Sequence, residues 1–375
     1  MRIAIFTESY EPVVNGVSVA VATLRDGLKA HGHEVHVFAP RFRGYKDAEC
    51  VYRFPSRVSR LAKGYPLPIP FAPKLRDEFL ALRPDIVHTQ SPFLLGVTGL
   101  KWAKLAGVPI VSTNHTLYTE YTHYLPFLPQ SMTKSMIVSV MQWYYERCSA
   151  VVVPSHPVEQ VLRHYGIDTR IEVIQSGVSN IRSYDREESR RFFDVPPDAY
   201  LLLYVGRVAR EKNLGLLLRS FKSIRSKYPK ARLMIVGSGP YESACRVLAK
   251  TLRVDNSITF MGMLKRDDVW RAYCAADTFV FPSVTETQGL VLSEALTAGL
   301  PCVAVRASGT PDVIENEVDG FLTDNSVSSF TGPVCRLISD QTLRAQLSKS
   351  AVKESARFTV DVMIDKFVKF YQSVL

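Results

Sequence analysis

Residues 277–305 read DTFVFPSVTETQGLVLSEALTAGLPCVAV. The apolar run DTFVFP ends at Pro282, and a polar loop follows from Ser283 to Gln288. Gly289 to Ala298 has the length and apolar character of a buried helix, Gly299 stops it, and Pro301 starts a second apolar run, PCVAV. Strand, loop, helix and strand in that order form a β–α–β unit, whose crossover joins parallel strands. The unit also poses a chemical question. Glu286 lies in the loop and Glu294 inside the apolar helix, and a buried carboxylate is costly unless it has hydrogen-bond partners.

The same alternation extends in both directions. RIAIF (2–6), EVHVFAP (34–40), DIVHTQ (85–90), PIVST (109–113) and AVVVPS (150–155) read as strands with helical segments between them, the first over 19–33. A second series follows: YLLLYVG (200–206), RLMIVG (232–237), ITFMG (258–262), then the two runs of the quoted unit. Such alternation predicts an α/β protein with parallel sheets covered on both faces. The polar, charge-dense segment SNIRSYDREESRRFF (179–193) separates the series. This predicts two doubly wound domains, residues 1–180 and 181–355, with a terminal helix over 356–375. A chain of 375 residues is too long for one core and fits two.

Composition narrows the function classes. The chain is 46% hydrophobic and has no apolar run of the ~20 residues that span a bilayer. MRIAIFTESYEP does not read as a secretory signal. Six cysteines without a C-x-x-C pair read as thiols in a reducing cytoplasm. The net charge of +10 suits an anionic partner. Residues 41–63 concentrate basic side chains, Arg57, Arg60 and Lys63 among them, between aromatic ones. They read either as a solvated face on a loop and short helix or as an anionic-surface contact. The segment 131–148, with Met132, Met136, Met141, Trp143 and Tyr144, reads as a core helix before it reads as a membrane contact. The charge is spread over both halves with no nucleic-acid motif, so nucleic acid is not expected as a partner.

Ligands of open α/β sheets bind beyond the carboxyl ends of the strands, and the chemistry-bearing residues lie there. Asn15 and Gly16 follow the first strand, His115 follows PIVST, and Arg207 and Lys212 follow YLLLYVG. Gly237 and Gly239 follow RLMIVG. Each alone has a bland alternative: a tight turn, a structural histidine, a pair of surface cations, an ordinary β–α turn. Two cations flanking a helix start would make a diphosphate clamp.

Glu286 and Glu294 in E-x₇-E spacing, GRVAREK (206–212), the glycine loop after the first strand and the histidine after a later one occur in this order along nearly the whole chain. Together they resemble the family-4 retaining glycosyltransferases. The resemblance implies the GT-B fold, two Rossmann-like domains facing a central cleft, with the last helix crossing back to the first domain. It implies an N-terminal domain for the acceptor and a C-terminal domain for a nucleotide-sugar. Glu286 would bond the sugar hydroxyls with backbone N–H groups of Thr287, Gln288, Gly289 and Leu290. Glu294 would hold the ribose, Arg207 and Lys212 the diphosphate, and Gly262 and Met263 would meet the base. His115 would contact the sugar near the reacting carbon. Gly16 and Gly237 would lie near the donor, and Asn15, Tyr118 and Tyr121 on the acceptor side.

Asn15-Gly16 and Gln288, with EYTHYLP (120–126), resemble the branch that glycosylates membrane lipids, the diacylglycerol glucosyltransferases and phosphatidylinositol mannosyltransferases. The implied enzyme is a retaining hexosyltransferase, peripheral on the cytoplasmic face of a membrane, using UDP-glucose and a lipid such as diacylglycerol. GDP-mannose with a phosphoinositide is the alternative pair. No Asp-x-Asp motif occurs, so neither metal nor cofactor is expected. A nucleotide-sugar epimerase and a non-enzymatic membrane or nucleic-acid binder are the competing classes.

Overall fold

The structure is a computed structural model that describes residues 1–13, 15–46, 48–58, 66–120, 129–179 and 181–375. It divides into two compact units, residues 1–177 with 360–375, and residues 178–359.

In the first unit the chain runs β1 (Arg2–Phe6), α1 (Gly16–Ala30), β2 (Glu34–Pro40), β3 (Val51–Phe54), β4 (Ser56–Val58), β5 (Pro66–Pro68) and α2 (Pro73–Leu82). It continues through β6 (Ile86–Thr89), α3 (Leu94–Ala106), β7 (Ile110–Thr113), α4 (Gln130–Tyr145), β8 (Ala150–Val153), α5 (His156–His164) and β9 (Ile171–Val173). Seven of these strands form one sheet in the order β3-β2-β1-β6-β7-β8-β9, and every adjacent pair is parallel. The order reverses between β1 and β6.

Alternation along β1 shows why helices cover both faces. Ile3 and Ile5 join a core with Val21, Leu24 and Leu28 of α1. Ala4 and Phe6 join a second core with Phe79, Leu95, Trp102 and Tyr144 from α2, α3 and α4. Phe6 stacks on Phe38 with ring centres 4.7 Å apart.

The second unit holds α6 (Arg186–Phe192), β10 (Tyr200–Val205), α7 (Leu214–Lys227), β11 (Ala231–Val236), α8 (Glu242–Thr251), β12 (Ile258–Gly262) and α9 (Arg266–Ala275). Then come β13 (Thr278–Phe281), α10 (Leu290–Thr297), β14 (Cys302–Val305), β15 (Gly320–Thr323), α11 (Val327–Ser339) and α12 (Gln341–Ser355). Its six-stranded sheet has the order β12-β11-β10-β13-β14-β15, again parallel throughout, and the order reverses between β10 and β13. Both units are therefore Rossmann-like.

The last helix, α13 (Val360–Gln372), belongs to the first unit, where Ile364, Phe367 and Tyr371 extend the α1 core. A 3-10 turn, Ala356–Phe358, precedes it.

Several local readings change. The quoted helix is one residue shorter at each end. The charged segment 179–193 contains α6, capped by Asp185. Arg186 and Arg190 of that helix bind Asp277 at 2.6 and 3.3 Å and the carbonyls of Ala276 and Ala275, so its charges anchor rather than link. Within the basic segment the described residues include β3 and β4, the latter paired antiparallel with β5 just beyond it, and no helix. The 131–148 helix splits by face: Thr133, Met141, Tyr144 and Tyr145 are buried, while Met132, Met136 and Trp143 are exposed. None of the six cysteines forms a disulfide.

Candidate functional site

In the second unit the loops after β10 and β13 flank the reversal of strand order, where a crevice opens in this architecture. After β10 the chain makes a 3-10 turn, Arg210–Lys212, and Asn213 takes a left-handed conformation before α7. The Asn213 side chain donates to Pro282 O at 3.2 Å and to Asn325 Oδ1 at 2.9 Å, tying the β10 loop to the start of the β13 loop. Lys212 Nζ is thereby brought 2.7 Å from Glu286 Oε2, with both side chains largely buried. Arg207 stands half-exposed at 3.9 Å from Glu211.

The β13 loop is held on its other side by the loop after β14. Gly309 N donates to Glu286 O at 2.8 Å, and Ser308 Oγ to Val284 O at 3.3 Å. A Cβ on Gly309 would lie 2.2 Å from Thr287 O, a contact only a backbone shift could relieve. Gly309→Ala is expected to displace Thr287 and Glu286 and lower turnover by about 10²-fold, with a small change in the unfolding midpoint. Steady-state kinetics beside a denaturation curve checks this. The same loop carries two buried hydroxyl oxygens, Ser283 Oγ and Thr285 Oγ1, with no hydrogen-bond partner among the described residues. A polar ligand or a water would complete their hydrogen bonding.

Glu294 is buried, and α9 supplies its partners. Arg266 Nη2 lies 2.7 Å from Oε1, and Tyr273 OH donates to Oε2 at 2.8 Å. Arg266 and Tyr273 are seven residues apart, so one helix face presents both. Arg266 also lies over the Trp270 ring, 5.4 Å from its centre, and donates to Ser179 O at 3.2 Å.

The remaining residues expected on the donor side line the same sheet edge. Gly237 N donates to Gly262 O at 2.7 Å, and a Cβ on Gly237 would lie 2.0 Å from Gly206 O. The close backbone approach this glycine permits is that of the neighbouring loop. Met263 is exposed. Gln288 is buried, and Gly289, at φ 83°, precedes α10 without a side-chain cap. Leu290 opens that helix.

The other predicted residues belong to the first unit. His115 follows β7, and its Nε2 lies 2.7 Å from Gln90 Oε1. Burial pushes its pKa down to about 4. Asn15 caps α1: its Oδ1 accepts from Ser18 N at 2.9 Å and its Nδ2 donates to Ser9 Oγ at 2.8 Å. Gly16 opens α1 with open space where a Cβ would lie. Tyr118 packs edge-on against Phe93 at 4.9 Å, and burial raises its phenol pKa. Arg57 lies exposed on β4. Arg60, Lys63 and Tyr121 lie outside the described residues.

Sequence reasoning passed over Arg266, Tyr273, Gly309 and Gln90. Arg266, Trp270 and Tyr273, at positions i, i+4 and i+7, carried a legible signal for one polar-aromatic helix face. Gly309 carried none beyond an ordinary S-G turn.

Residues 14–180 match the family model described as Glycosyltransferase Family 4, and residues 185–354 the one described as Glycosyl transferases group 1. The chain is 32% identical over 319 residues to the alpha-monoglucosyldiacylglycerol synthase of Acholeplasma laidlawii, covering 81% of this chain and 80% of that one. It is 29% identical to a GDP-mannose-dependent alpha-mannosyltransferase of Mycolicibacterium smegmatis, over 100% of this chain and 98% of the relative. Among solved structures, the sucrose-phosphate synthase of Thermosynechococcus elongatus superposes with a TM-score of 0.80 at 21% identity, covering 100% of this chain and 98% of that one.

Proposed function

The chain belongs to the family-4 glycosyltransferases, with the two Rossmann-like units of the GT-B fold, and from that premise we propose that it moves glucose from UDP-glucose to a membrane lipid such as diacylglycerol, with retention of configuration. The observation that carries the site assignment is the Lys212–Glu286 contact of 2.7 Å across the reversal of strand order. A nucleoside diphosphate leaves readily and needs charge stabilisation more than a general acid. Arg207, Lys212 and the uncapped N-terminus of α10 supply positive potential where that charge develops. Glu286 accepts hydrogen bonds from sugar hydroxyls, and Glu294 uses lone pairs left by Arg266 and Tyr273 to hold the ribose. His115 meets the sugar near the reacting carbon. The two glutamates hold two parts of one donor, so attack occurs on the face the diphosphate leaves, and the leaving phosphate takes the acceptor's proton. Trapping a covalent glycosyl–enzyme adduct would overturn this step. Catalysis proceeds without a metal ion.

The lipid assignment draws on the relatives and on α4. Met132, Met136, Val140 and Trp143 form an exposed stripe on that helix, Met132 being 60% and Trp143 44% exposed. Arg147 stacks on Trp143 at 4.9 Å, placing a cation at the stripe's end. Apolar side chains with a flanking cation suit an anionic bilayer surface, and no helix among the described residues is long and apolar enough to cross one. The enzyme would work peripherally on the cytoplasmic face. Met136→Glu with Trp143→Glu is expected to weaken flotation with anionic liposomes by about tenfold or more. Unchanged flotation would remove α4 from the membrane contact.

The direct test is transfer of label from a panel of UDP- and GDP-sugars to extracted membrane lipids, with and without EDTA. UDP-glucose is expected to label lipid equally in both. Label from GDP-mannose alone would replace the donor, loss with EDTA would refute metal independence, and no lipid labelling from any donor would overturn the lipid reading.

A further inference from the structure

His115 is held by a neighbour that no motif marks. Gln90 follows β6, and its backbone N donates to Phe6 O at 2.9 Å, extending the ladder beside β1. Thr89 pairs with Ser112 in the β6–β7 register, so the next positions along both strands bring Gln90 and the end of β7 side by side. Asn114 N donates to Val152 O at 2.9 Å, which fixes the backbone immediately before His115. The Gln90 side chain is buried. Its Oε1 meets His115 Nε2 at 2.7 Å, while its own Nε2 has no hydrogen-bond partner among the described residues. In this orientation of the amide its oxygen, which only accepts, faces the ring, and the proton belongs on His115 Nε2.

Beneath this pair, His88 is fully buried between two hydroxyls. Its Nδ1 lies 2.7 Å from Tyr371 OH and its Nε2 2.7 Å from Thr113 Oγ1. A small cavity of about 20 Å³ adjoins Gln90, Thr113 and His115. The helices lining it add no titratable group, since α1 contributes Ala20 and Leu24 and α13 contributes Met363 and Phe367. A charge on His115 would disfavour a second charge on His88 beneath it.

We propose that Gln90 is a positioning residue that holds His115 as the neutral Nε2–H tautomer, leaving Nδ1 as a hydrogen-bond acceptor. Burial acts in the same direction, pushing His115 down to about 4 and His88 to about 3, because a charged ring is poorly solvated there. The consequence for chemistry rests on the reading that His115 meets the donor sugar. A neutral ring with an open lone pair can accept a sugar hydroxyl, whereas an imidazolium would repel the cationic transition state.

The test is long-range ¹H–¹⁵N spectroscopy of the full chain labelled with ¹⁵N-histidine, with His115→Gln identifying the signal among eight histidines. In the unmodified protein the ring should show Nε2–H at pH 7 and stay neutral to below about pH 5. Gln90→Glu should raise the His115 pKa by about 1–3 units and give transfer an acid limb. Gln90→Leu should mix the tautomers and lower kcat by about tenfold or more at little-changed donor KM. An Nδ1–H or charged ring in the unmodified protein overturns the proposal, as does a tautomer and pKa untouched by both substitutions. If the spectra change as stated and transfer does not, Gln90 positions His115 as proposed, and it is the role of His115 in sugar transfer that fails.

Discussion

Replacing Lys212 by alanine is expected to lower kcat/KM for sugar transfer by about 10²- to 10³-fold, the effect of losing one preorganised charge-stabilising group. Lys212 is largely buried and reaches Glu286 at 2.7 Å, so water cannot replace it at equal strength. Arg207→Ala should cost less, because that side chain is half-exposed, with Glu211 3.9 Å away. Lys212 and Glu286 touch, so their substitutions should not add. Glu286→Gln in the Lys212→Ala background should cost much less than Glu286→Gln alone. Kinetics of the two single variants and the double variant give this cycle. Transfer within about threefold of the unmodified enzyme in Lys212→Ala would remove this cation from the transition state.

The second large effect separates a structural carboxylate from a binding one. Arg266→Ala should destabilise the unit of residues 178–359 by about 3 kcal/mol, since it leaves a buried carboxylate without its cation. That value is the low end of the range for buried pairs because the Arg266 side chain is 38% exposed while that of Glu294 is 3% exposed. Glu294→Gln removes the buried charge, keeps an acceptor for Tyr273 and leaves Arg266 near solvent, so it should cost only about 1 kcal/mol. Binding should follow the opposite order. Glu294→Gln should raise the donor KM by about tenfold, the effect of weakening charge-assisted hydrogen bonds to the ribose. Denaturant midpoints and donor KM for both variants decide. Glu294→Gln as destabilising as Arg266→Ala, with KM unchanged, would make Glu294 a packing carboxylate only.

How much of this was legible depends on distance along the chain. The quoted β–α–β unit was readable because its signals are local: Pro282 and Gly299 stop elements, and periods of two and 3.6 differ within a few residues. The strands beside the candidate site were found for the same reason. The edge strands β3, β9 and β15 and the β4–β5 pair escaped notice. They have three or four residues each, and β3, β5, β9 and β15 are only partly buried, whereas β6, β7, β8, β13 and β14, no longer than four residues, are buried throughout and read as continuous apolar runs. The 179–193 segment misled because a charge-dense helix looks like a linker until Asp277 is seen beneath it, about 90 residues along the chain.

The sequence by itself determined the class of fold, the ends of the sheet where chemistry could lie, and most of the residue types that lie there. It also posed the puzzle of Glu294 without solving it. The tertiary structure decided who touches whom. β10 and β13 are neighbours although two strands intervene in sequence, so Lys212 and Glu286, 74 residues apart, become a bonded pair. The crossover of α9 brings Arg266 and Tyr273 onto Glu294, and the β6–β7 register brings Gln90 onto His115. The physical reason is that backbone preference acts over a few residues, whereas the partner of a buried charge is chosen by sheet order and helix packing, which bring together residues far apart in the chain.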